Sequence, residues 1–389
     1  MPIKIAIITS TRAEYGLLHP LILEMTADPY FQIEVVATGT HLLDKFGNTL
    51  EMIVADGISV AHRIPIMEED GQSVNTIIGR GIFAFSKLYE EQKYDAILVL
   101  GDRYELLSFC IPAMMLNIPI IHIHGGEKSE GAVDERIRHS ITKMASLHFP
   151  TIQEYAHRII QMGECPEYVH PVGALGIDNI MAMQPFSQEE LEKELDVDFD
   201  KPTALVTFHP VTLDSAGQIR EQGAELFKAL VDYKMHYIVT MPNNDSGSAI
   251  LQNIIEQYVQ KYPDRFVYRK SLGQKRYLST LRYVRMVIGN SSSGLIEVPS
   301  FQIPTINIGD RQKGRFAPKT VIHCKCRYSD ILGAIQEGDS ARFRQSIANY
   351  RSPFGDGTAA KKMVRLIKGT DLKSEKILKK KFFDVDYKI

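Results

Sequence analysis

The chain has 389 residues, of which 44% are hydrophobic and 24% are charged, and its formal net charge is −2. This length exceeds what one ordinary hydrophobic core accommodates, so we expect two domains. A charge near zero argues against a general nucleic-acid binder, which needs many cations to neutralise phosphates. No apolar run approaches the roughly 20 residues that cross a bilayer, so we expect no membrane association.

The N-terminus begins directly with a strand-like run and lacks the layout of a signal peptide, which favours a cytoplasmic protein. Its cysteines do not have the spacing of a four-ligand structural zinc site. We therefore expect reduced thiols and no bound metal. The four cysteines are Cys110, Cys165, Cys324 and Cys326.

Strand-like and helix-like segments alternate through the first half of the chain. Apolar residues recur at helical spacing between the strands, as in the stretch from Leu17 to Met25. This alternation is typical of parallel strands joined by right-handed helical crossovers. The predicted strands span residues 3–8, 33–38, 96–100, 118–123 and 147–149.

The same pattern restarts after a stretch rich in Gly, Pro and Met at residues 173–188 and an acidic helix at 188–195. We therefore predict an α/β protein with two doubly wound domains that face a cleft. Residues 1–175 form the first domain, 176–360 the second, and a lysine-rich helical tail at 361–389 packs back on the first. Strands of the second half are predicted at 204–208, 237–241, 266–268, 286–288, 305–308 and 321–323.

Ionisable residues follow two neighbouring strands of the first half. Asp102 and Arg103 come directly after residues 96–100, and the run from His122 to Glu127 ends the next strand. A helix-like segment with Asp134, Arg138 and His139 comes next. Ligands of parallel sheets bind beyond the carboxyl ends of the strands, so this cluster predicts a reaction centre.

Each of these residues also has an ordinary structural interpretation. Asp102 can pair with Arg103 or cap the next helix, and Glu127 can lie in a solvated loop. Asp134 and Arg138 stand four residues apart, which is the spacing of a surface ion pair on a helix. A structural role for all of them at adjacent strand ends is a weaker explanation than a shared site.

Several features suit a nucleoside diphosphate. The first strand leads into Thr9–Gly16, which lacks the glycine pattern of dinucleotide folds but offers hydroxyls, Arg12 and a helix N-terminus. In the second half His209 follows a strand, and Asn290–Gly294 supplies three hydroxyls before a predicted helix with Glu297. Arg311 follows the next strand. Helix caps and the helix dipole explain each feature alone, whereas together they favour diphosphate binding.

With both halves in view, the chain resembles the hydrolysing branch of the UDP-N-acetylglucosamine 2-epimerase family over nearly its full length. The last of the motifs below is shared with retaining glycosyltransferases of the two-Rossmann (GT-B) type, so it indicates fold and UDP rather than reaction. The segment from Gly101 to Lys143 distinguishes an epimerase from a transferase. The motifs are Gly101–Arg103, His122–Glu127 with Asp134–Lys143, Phe208–Pro210, and Asn290–Glu297 with Arg311.

The resemblance implies that a base removes the C2 proton of the sugar while UDP leaves C1, and that water then adds to the resulting glycal. The products are N-acetylmannosamine, a precursor of sialic acid, and UDP, formed without a metal or other cofactor. The implied catalytic residues are Asp102, Asp134, His209, His124, Glu127 and His122. The implied UDP-binding residues are Arg12, Gly16, Arg103, His209, Asn243, Leu272, Ser291, Ser292, Glu297 and Arg311.

One departure from the family pattern concerns His124, which stands where several members have a catalytic carboxylate. A neutral imidazole can also relay protons near pH 7. The change leaves the acid and base unassigned and suggests UDP-2,4-diacetamido-2,4,6-trideoxyhexose, of legionaminic acid synthesis, as an alternative substrate. Non-hydrolysing epimerisation, glycosyl transfer and a non-catalytic nucleotide-sugar sensor remain further alternatives. The resemblance also implies a homodimer or homotetramer.

Overall fold

The computed structural model describes residues 2–44, 47, 49–68, 72–129, 133–210, 214–242 and 248–386. The chain divides into two compact units: residues 1–181 with 353–389 form the first unit, and residues 182–352 form the second. The predicted boundaries at 175 and 360 differ from this division, which places 176–181 and 353–360 with the first unit.

The described residues of the first unit contain a six-stranded parallel sheet in the order β3-β2-β1-β4-β5-β6. Five of its strands match the predicted ones. The sequence did not reveal β3, because its residues alternate between half-buried and exposed positions at the edge of the sheet. The strands are β1 (Ile3–Thr9), β2 (Phe31–Thr38), β3 (Val60–Ile64), β4 (Ala96–Leu100), β5 (Ile120–Ile123) and β6 (Leu147–Phe149).

The described residues of the second unit contain another six-stranded parallel sheet, in the order β12-β11-β10-β7-β8-β9. Counted from its own first strand, this order is the same as that of the first sheet. Both units are therefore doubly wound α/β domains, as predicted. The strands are β7 (Thr203–Thr207), β8 (His236–Thr240), β9 (Phe266–Arg269), β10 (Met286–Gly289), β11 (Thr305–Ile308) and β12 (Val321–Cys324).

Helices connect the strands of both sheets. No helix in the described parts of the chain is long and apolar enough to cross a membrane. The helices are α1 (Arg12–Thr26), α2 (Leu50–Ala55), α3 (Val74–Gln92), α4 (Glu105–Met115), α5 (Val133–Met144), α6 (Gln153–Gln161), α7 (Leu175–Ala182), α8 (Gln188–Leu195), α9 (Ala216–Asp232), α10 (Ser248–Lys261), α11 (Gly273–Thr280), α12 (Ser293–Ile296), α13 (Tyr328–Asp339), α14 (Ala341–Ile347), α15 (Ala359–Gly369) and α16 (Glu375–Leu378).

The segment after residue 353 is part of the first unit. Met363 and Ile367 of α15 lie in the same core cluster as Leu18 and Ile22 of α1. The carboxylate of Asp178, on α7, accepts hydrogen bonds from the first two amides of α15, at 3.0 and 2.7 Å. A side chain of α7 therefore caps α15, which explains why residues 176–181 and 353–360 belong to one unit.

Gly289 ends β10 in a backbone conformation that requires glycine. Its φ is +145°, and a Cβ atom placed there would overlap the carbonyl of Thr207 on the neighbouring strand. Glycine therefore permits the close approach of β10 and β7 at the point where the strand order reverses.

We expect Gly289→Ala to destabilise the second unit by about 3 kcal/mol, because it combines backbone strain with a steric overlap. The thermal midpoint should fall by roughly 6–12 °C, as followed by circular dichroism. Gly333→Ala is the matched control, since that glycine is exposed in α13 with nothing within 4 Å of the added methyl group. Equal midpoints for both variants would contradict the argument.

Glu14 is a buried acid in the first turn of α1. Its side chain is 4% exposed. One oxygen accepts hydrogen bonds from the amide and hydroxyl of Ser10, at 2.6 and 2.8 Å, while Oε1 is buried without a partner among the described residues. Burial raises the pKa of Glu14 to about 7, although the Ser10 bonds oppose the change. Ionising Glu14 therefore opposes folding.

We expect Glu14→Gln to stabilise the protein increasingly as the pH rises from about 4.5 to about 7. In this window the unfolded chain releases the proton while the folded chain retains it, so the unchanged protein loses stability. The gain levels off near 3 kcal/mol above pH 7, as roughly 2.5 pKa units imply. Denaturation midpoints of both proteins, measured between about pH 4.5 and pH 8, test this pH dependence.

Glu190→Gln provides a comparison of opposite sign. The amide and hydroxyl of Ser187 hold the pKa of Glu190 below its usual value in the capping box of α8. Its ionised form therefore favours folding, and the substitution should destabilise the protein at neutral pH but not in acid. A Glu14→Gln stability difference that is flat with pH would show that Glu14 titrates normally.

Candidate active site

Several of the sequence-predicted residues lie at the strand-order reversals of the two sheets. In the first unit β1 and β4 are neighbours, so the turn with Arg12 and the loop with Asp102 leave the same place. In the second unit β7 and β10 are neighbours, so His209 and the Asn290–Gly294 loop also leave the sheet at one place. Such reversals are where open α/β sheets bind ligands.

Arg138 is the centre of the acidic cluster in the first unit. It is one of the largest fully buried side chains and is 1% exposed. Its Nη2 donates to the carboxylate of Asp102 and, at 2.8 Å, to the hydroxyl of Ser129. Its Nη1 donates to the Glu127 carbonyl at 2.8 Å and to Glu135 Oε2 at 3.2 Å. One guanidinium therefore joins the ends of β4 and β5 to α5.

These bonds correct the ion pair that the sequence spacing suggested between Asp134 and Arg138. Arg138 pairs with Glu135 and Asp102 instead, because it lies on the buried face of α5 with Ile137 and Ile141. Asp134 is exposed in the first turn of the helix. The sequence held a signal for this arrangement: Arg138 occupies the apolar stripe, where an unpaired charge is costly.

His122 supports the site from behind. It is fully buried, and its Nε2 donates a 2.8 Å hydrogen bond to the carbonyl of Gly101. Because a carbonyl only accepts, the proton of the ring is on Nε2. Burial lowers the pKa of His122 to about 3, so the ring is neutral at physiological pH. The hydrogen bond from His122 thus fixes the backbone of Gly101, the residue that precedes Asp102.

His124 has a strained backbone and an unsatisfied ring nitrogen. Its φ is +64°, a conformation that residues other than glycine seldom adopt. The ring Nε2 is buried without a hydrogen-bond partner among the described residues. Burial lowers the pKa of His124, while the charges of Glu127 and Asp102 oppose that change. The imidazole is thus neutral and within electrostatic reach of both acids.

The other predicted residues of the first unit lie around this cluster. Arg103 pairs with the fully buried Glu105 at 2.6 Å, and Asp102 pairs with Arg138 rather than with Arg103 as the alternative interpretation suggested. Arg12 is exposed at the start of α1, and the carbonyl of Gly16 accepts a 2.7 Å bond from Asn179. Arg12 therefore lies at the start of α1, where an anion would meet free amides, and Gly16 lies one turn further along the helix.

In the second unit, His209 and Asn290 connect the ends of β7 and β10. The amide of His209 donates to the side-chain oxygen of Asn290, and the side-chain nitrogen of Asn290 donates to the His209 carbonyl, both at 2.8 Å. Both residues are buried. The carbonyl of Asn290 also accepts from Arg311 at 3.2 Å and from Gln312 at 2.9 Å. These bonds fix the loop before Ser291 and Ser292.

The helix that was expected to contain Glu297 is shorter than predicted. α12 has four residues, and Glu297 is the residue that follows it. Pro299, which lacks an amide hydrogen, lies in the next 3-10 turn and prevents the helix from continuing. Ser291 and Ser292 precede this single turn, so the predicted cradle rests on loop amides and hydroxyls more than on a helix dipole.

Tyr277 is a polar residue of this region that the sequence did not single out. Its hydroxyl bonds Ser293 Oγ at 2.6 Å, and Ser293 Oγ donates to the carboxylate of Glu297. Burial raises the pKa of Glu297, and the Ser293 bond opposes the rise. Leu272 is buried at the start of α11. Asn243, also predicted to bind UDP, lies outside the described residues.

The described residues contain no group of three or more His, Cys, Asp or Glu side chains that could hold a metal ion. Cys324 is the last residue of β12 and Cys326 lies two residues further on, and burial raises the pKa of both thiols to about 12. Cys110, in α4, is fully buried. These thiols are therefore protonated at neutral pH.

Known proteins are similar to this chain over nearly its full length. Residues 23–368 match the model of the family described as UDP-N-acetylglucosamine 2-epimerase. The chain is 36% identical over 386 residues to the polysialic acid biosynthesis protein P7 of Escherichia coli, covering 98% of this chain and 97% of that protein. It is 35% identical to the GDP/UDP-N,N'-diacetylbacillosamine 2-epimerase (hydrolyzing) of Campylobacter jejuni, covering 98% and 99%.

Solved structures agree on the fold. The structure of UDP-GlcNAc 2-epimerase from Neisseria meningitidis bound to UDP-GlcNAc matches with a TM-score of 0.82 and 18% identity, covering 95% of this chain and all of that one. This match confirms the predicted architecture, whereas the family rests on the sequence matches. Because these extend over nearly the whole chain, the protein belongs to the UDP-N-acetylglucosamine 2-epimerase family.

Proposed function

We propose that the protein is a hydrolysing 2-epimerase that converts a UDP-activated 2-acetamido sugar to its free C2 epimer and UDP. The observation that carries this proposal is Asp102, held at the end of β4 by the buried Arg138 beside the neutral His124. A sensor or a transferase has no evident need for this arrangement. The hydrolysing relatives support the same reaction type.

The reaction divides into elimination and hydration. In the first step a base removes the proton from C2 as the C1–O bond breaks, and the electron pair forms the C1–C2 double bond of a glycal. In the second step water adds its oxygen to C1 and a proton returns to C2 on the opposite face. General acid–base catalysis of this kind contributes typically 10²–10⁴-fold to a rate.

The first unit supplies the proton-transfer groups. The salt bridge with Arg138 engages Oδ2 of Asp102, so we assign Oδ1 to the substrate proton. His124 presents a neutral ring whose Nε2 can bond to the sugar, and Glu127 and Asp134 are further acid–base candidates. We assign no proton transfer to His122, because its only N–H already bonds Gly101.

The second unit binds the leaving group in this proposal. His209, at the end of β7, and the hydroxyls of Ser291 and Ser292 stabilise the diphosphate as negative charge develops on it. Glu297 accepts hydrogen bonds from the ribose, and Arg311 and the backbone at Leu272 complete the UDP site. We propose Arg12, Arg103 and Gly16 as further diphosphate-binding residues.

UDP-N-acetylglucosamine is the first substrate candidate, and it would give N-acetylmannosamine for sialic acid synthesis. The second is UDP-2,4-diacetamido-2,4,6-trideoxyhexose. It is favoured by the diacetylbacillosamine 2-epimerases of Campylobacter jejuni and Legionella pneumophila, which are 35% and 33% identical to this chain. His124, in place of the carboxylate of several family members, is the residue to which we attribute a difference in substrate.

Incubation with each UDP-sugar in deuterated water tests the reaction. We expect free 2-epimerised sugar with deuterium at C2, together with UDP, because the proton returned to C2 comes from solvent. Proton NMR resolves the C2 signal and distinguishes free from UDP-linked sugar. The preferred substrate is the one with the higher kcat/KM.

The other reaction classes give different products in this experiment. Deuterated UDP-sugar without free sugar would identify non-hydrolysing epimerisation. UDP binding without turnover of either sugar would refute the epimerase proposal in favour of a sensor. Boiled protein and UDP-glucose, which lacks the 2-acetamido group, serve as controls for background hydrolysis.

The pair of Asp102 and Arg138 should act as a unit. We expect Asp102→Asn and Arg138→Met each to lower kcat by about 100-fold or more, since one removes the carboxylate and the other its support. The double variant should be little worse than either single one. Calorimetry should find the Kd for UDP within a few-fold of the unchanged protein.

Arg136→Met is the matched control, because that arginine is exposed on the same helix. Arg138→Lys retains the cation and should recover part of the lost kcat if the fold tolerates it. Circular dichroism and the thermal midpoint report on folding. Loss of UDP affinity in parallel with kcat would show that the pair is structural.

A further inference from the structure

A cavity of about 650 Å³ lies within the second unit at the carboxyl ends of β10, β11 and β12. Its lining includes Asn290, Asn307, Gln312 and His323. Asn290 is also the residue whose bonds fix the loop before Ser291 and Ser292. The cavity therefore adjoins the proposed diphosphate site through a shared residue.

Two acceptors of this cavity are buried and unsatisfied. Asn307 is 1% exposed and Gln312 is 4% exposed. The side-chain oxygens of both residues have no hydrogen-bond partner among the described residues. A buried acceptor without a donor is costly, and native proteins seldom retain two of them in one place without a ligand or ordered water.

The orientation of each amide follows from its other bond. Gln312 Nε2 donates to the carbonyl of Asn290 at 2.9 Å, so its oxygen must point away from that acceptor. Asn307 Nδ2 lies 3.0 Å from Nδ1 of His323. Exchanging the two atoms of the Asn307 amide would leave the nitrogen unsatisfied instead, so one polar atom lacks a partner in either orientation.

The order of the strands indicates which part of a nucleotide sugar would reach this cavity. Leu272, a proposed UDP contact, follows β9, while His209 and Ser291 follow β7 and β10. β9 lies three strand spacings from β10, roughly 14 Å, and β12 lies two spacings, roughly 10 Å, on the other side. With the diphosphate near β7 and β10 and the nucleoside toward β9, the sugar extends toward β11 and β12.

We propose that this cavity receives the sugar ring of the UDP-sugar, and that Asn307 and Gln312 accept hydrogen bonds from its hydroxyl or acetamido N–H groups. This inference rests on the proposed function and adds the residues that recognise the sugar. A diphosphate has no donor for these oxygens, whereas an amino sugar has several. The two amides thereby contribute to substrate specificity.

Calorimetry with UDP and with UDP-N-acetylglucosamine tests the proposal in the Asp102→Asn background, where we expect turnover to be about 100-fold slower or more. We expect Asn307→Leu to lower the affinity for UDP-N-acetylglucosamine about tenfold, as for one lost hydrogen bond, and to leave the affinity for UDP within twofold. Gln312→Met also removes the bond to the carbonyl of Asn290, so it should lower both affinities, that for UDP-N-acetylglucosamine about tenfold more than that for UDP. Gln336→Met, on an exposed position of α13, is the matched control. Circular dichroism verifies the fold of each variant.

Deoxygenated substrates identify the donor. UDP-N-acetylglucosamine lacking the 3-, 4- or 6-hydroxyl should bind the unmodified pocket more weakly at one position. In the variant that lacks the matching acceptor, removing the same hydroxyl should not lower the affinity any further. This non-additivity separates a direct contact from a general disturbance of the loop.

The possible outcomes are distinct. If the affinities for the UDP-sugar and for UDP fall equally in the variants, the two amides support the nucleotide loop and the inference is overturned. If neither affinity falls, water satisfies the two side-chain oxygens and the inference is also overturned. If the Asp102→Asn protein does not bind UDP at all, the proposed function fails instead, independently of Asn307 and Gln312.

Discussion

The buried guanidinium of Arg138 is the constraint on which the first unit's site depends. A cation removed from water requires compensating acceptors, and a single missing partner leaves an uncompensated charge. Arg138 obtains acceptors from the end of β4, from the loop after β5 and from its own helix. These segments can therefore not move independently, and the geometry of Asp102 is fixed by the same bonds that satisfy the buried charge.

In the second unit, a neutral side chain connects the loops at the ends of the strands. Asn290 makes two reciprocal bonds to the backbone of His209, and its carbonyl receives Arg311 and Gln312. An amide can donate and accept at once, so it connects two loops without the desolvation cost of a buried charge. A neutral support is appropriate beside a proposed diphosphate site, because a buried carboxylate there would repel the ligand.

The sequence predicts the parts of this protein that depend on local pattern. Short apolar runs predict eleven of the twelve strands found in the described parts of the chain. The edge strand β3 is not predicted, because its residues alternate between half-buried and exposed positions. The polar residues at the strand ends are predicted because parallel strands place them together. The partner of Arg138 is not predicted, since helical spacing alone cannot distinguish Asp134 from a residue 36 positions away in the chain. The length of α12 is also not predicted from the sequence. Pro299 prevents the helix from continuing, but tertiary packing decides at which residue the helix ends.

Gly126 allows the loop that contains His124 to pack closely against a helix. Gly126 has a φ of +79°, and a Cβ atom there would overlap the carbonyl of Tyr155 on α6. The loop after β5 is thus packed against α6, and this close approach leaves the strained turn at His124 little freedom to relax. A carboxylate at position 124 would be buried near Asp102 and Glu127, whose like charges would raise its pKa. A neutral imidazole avoids that repulsion and still offers a ring nitrogen to the substrate. In the proposed reaction, the replacement would therefore retain a proton-transfer group while it lowers the negative charge near the C2 proton.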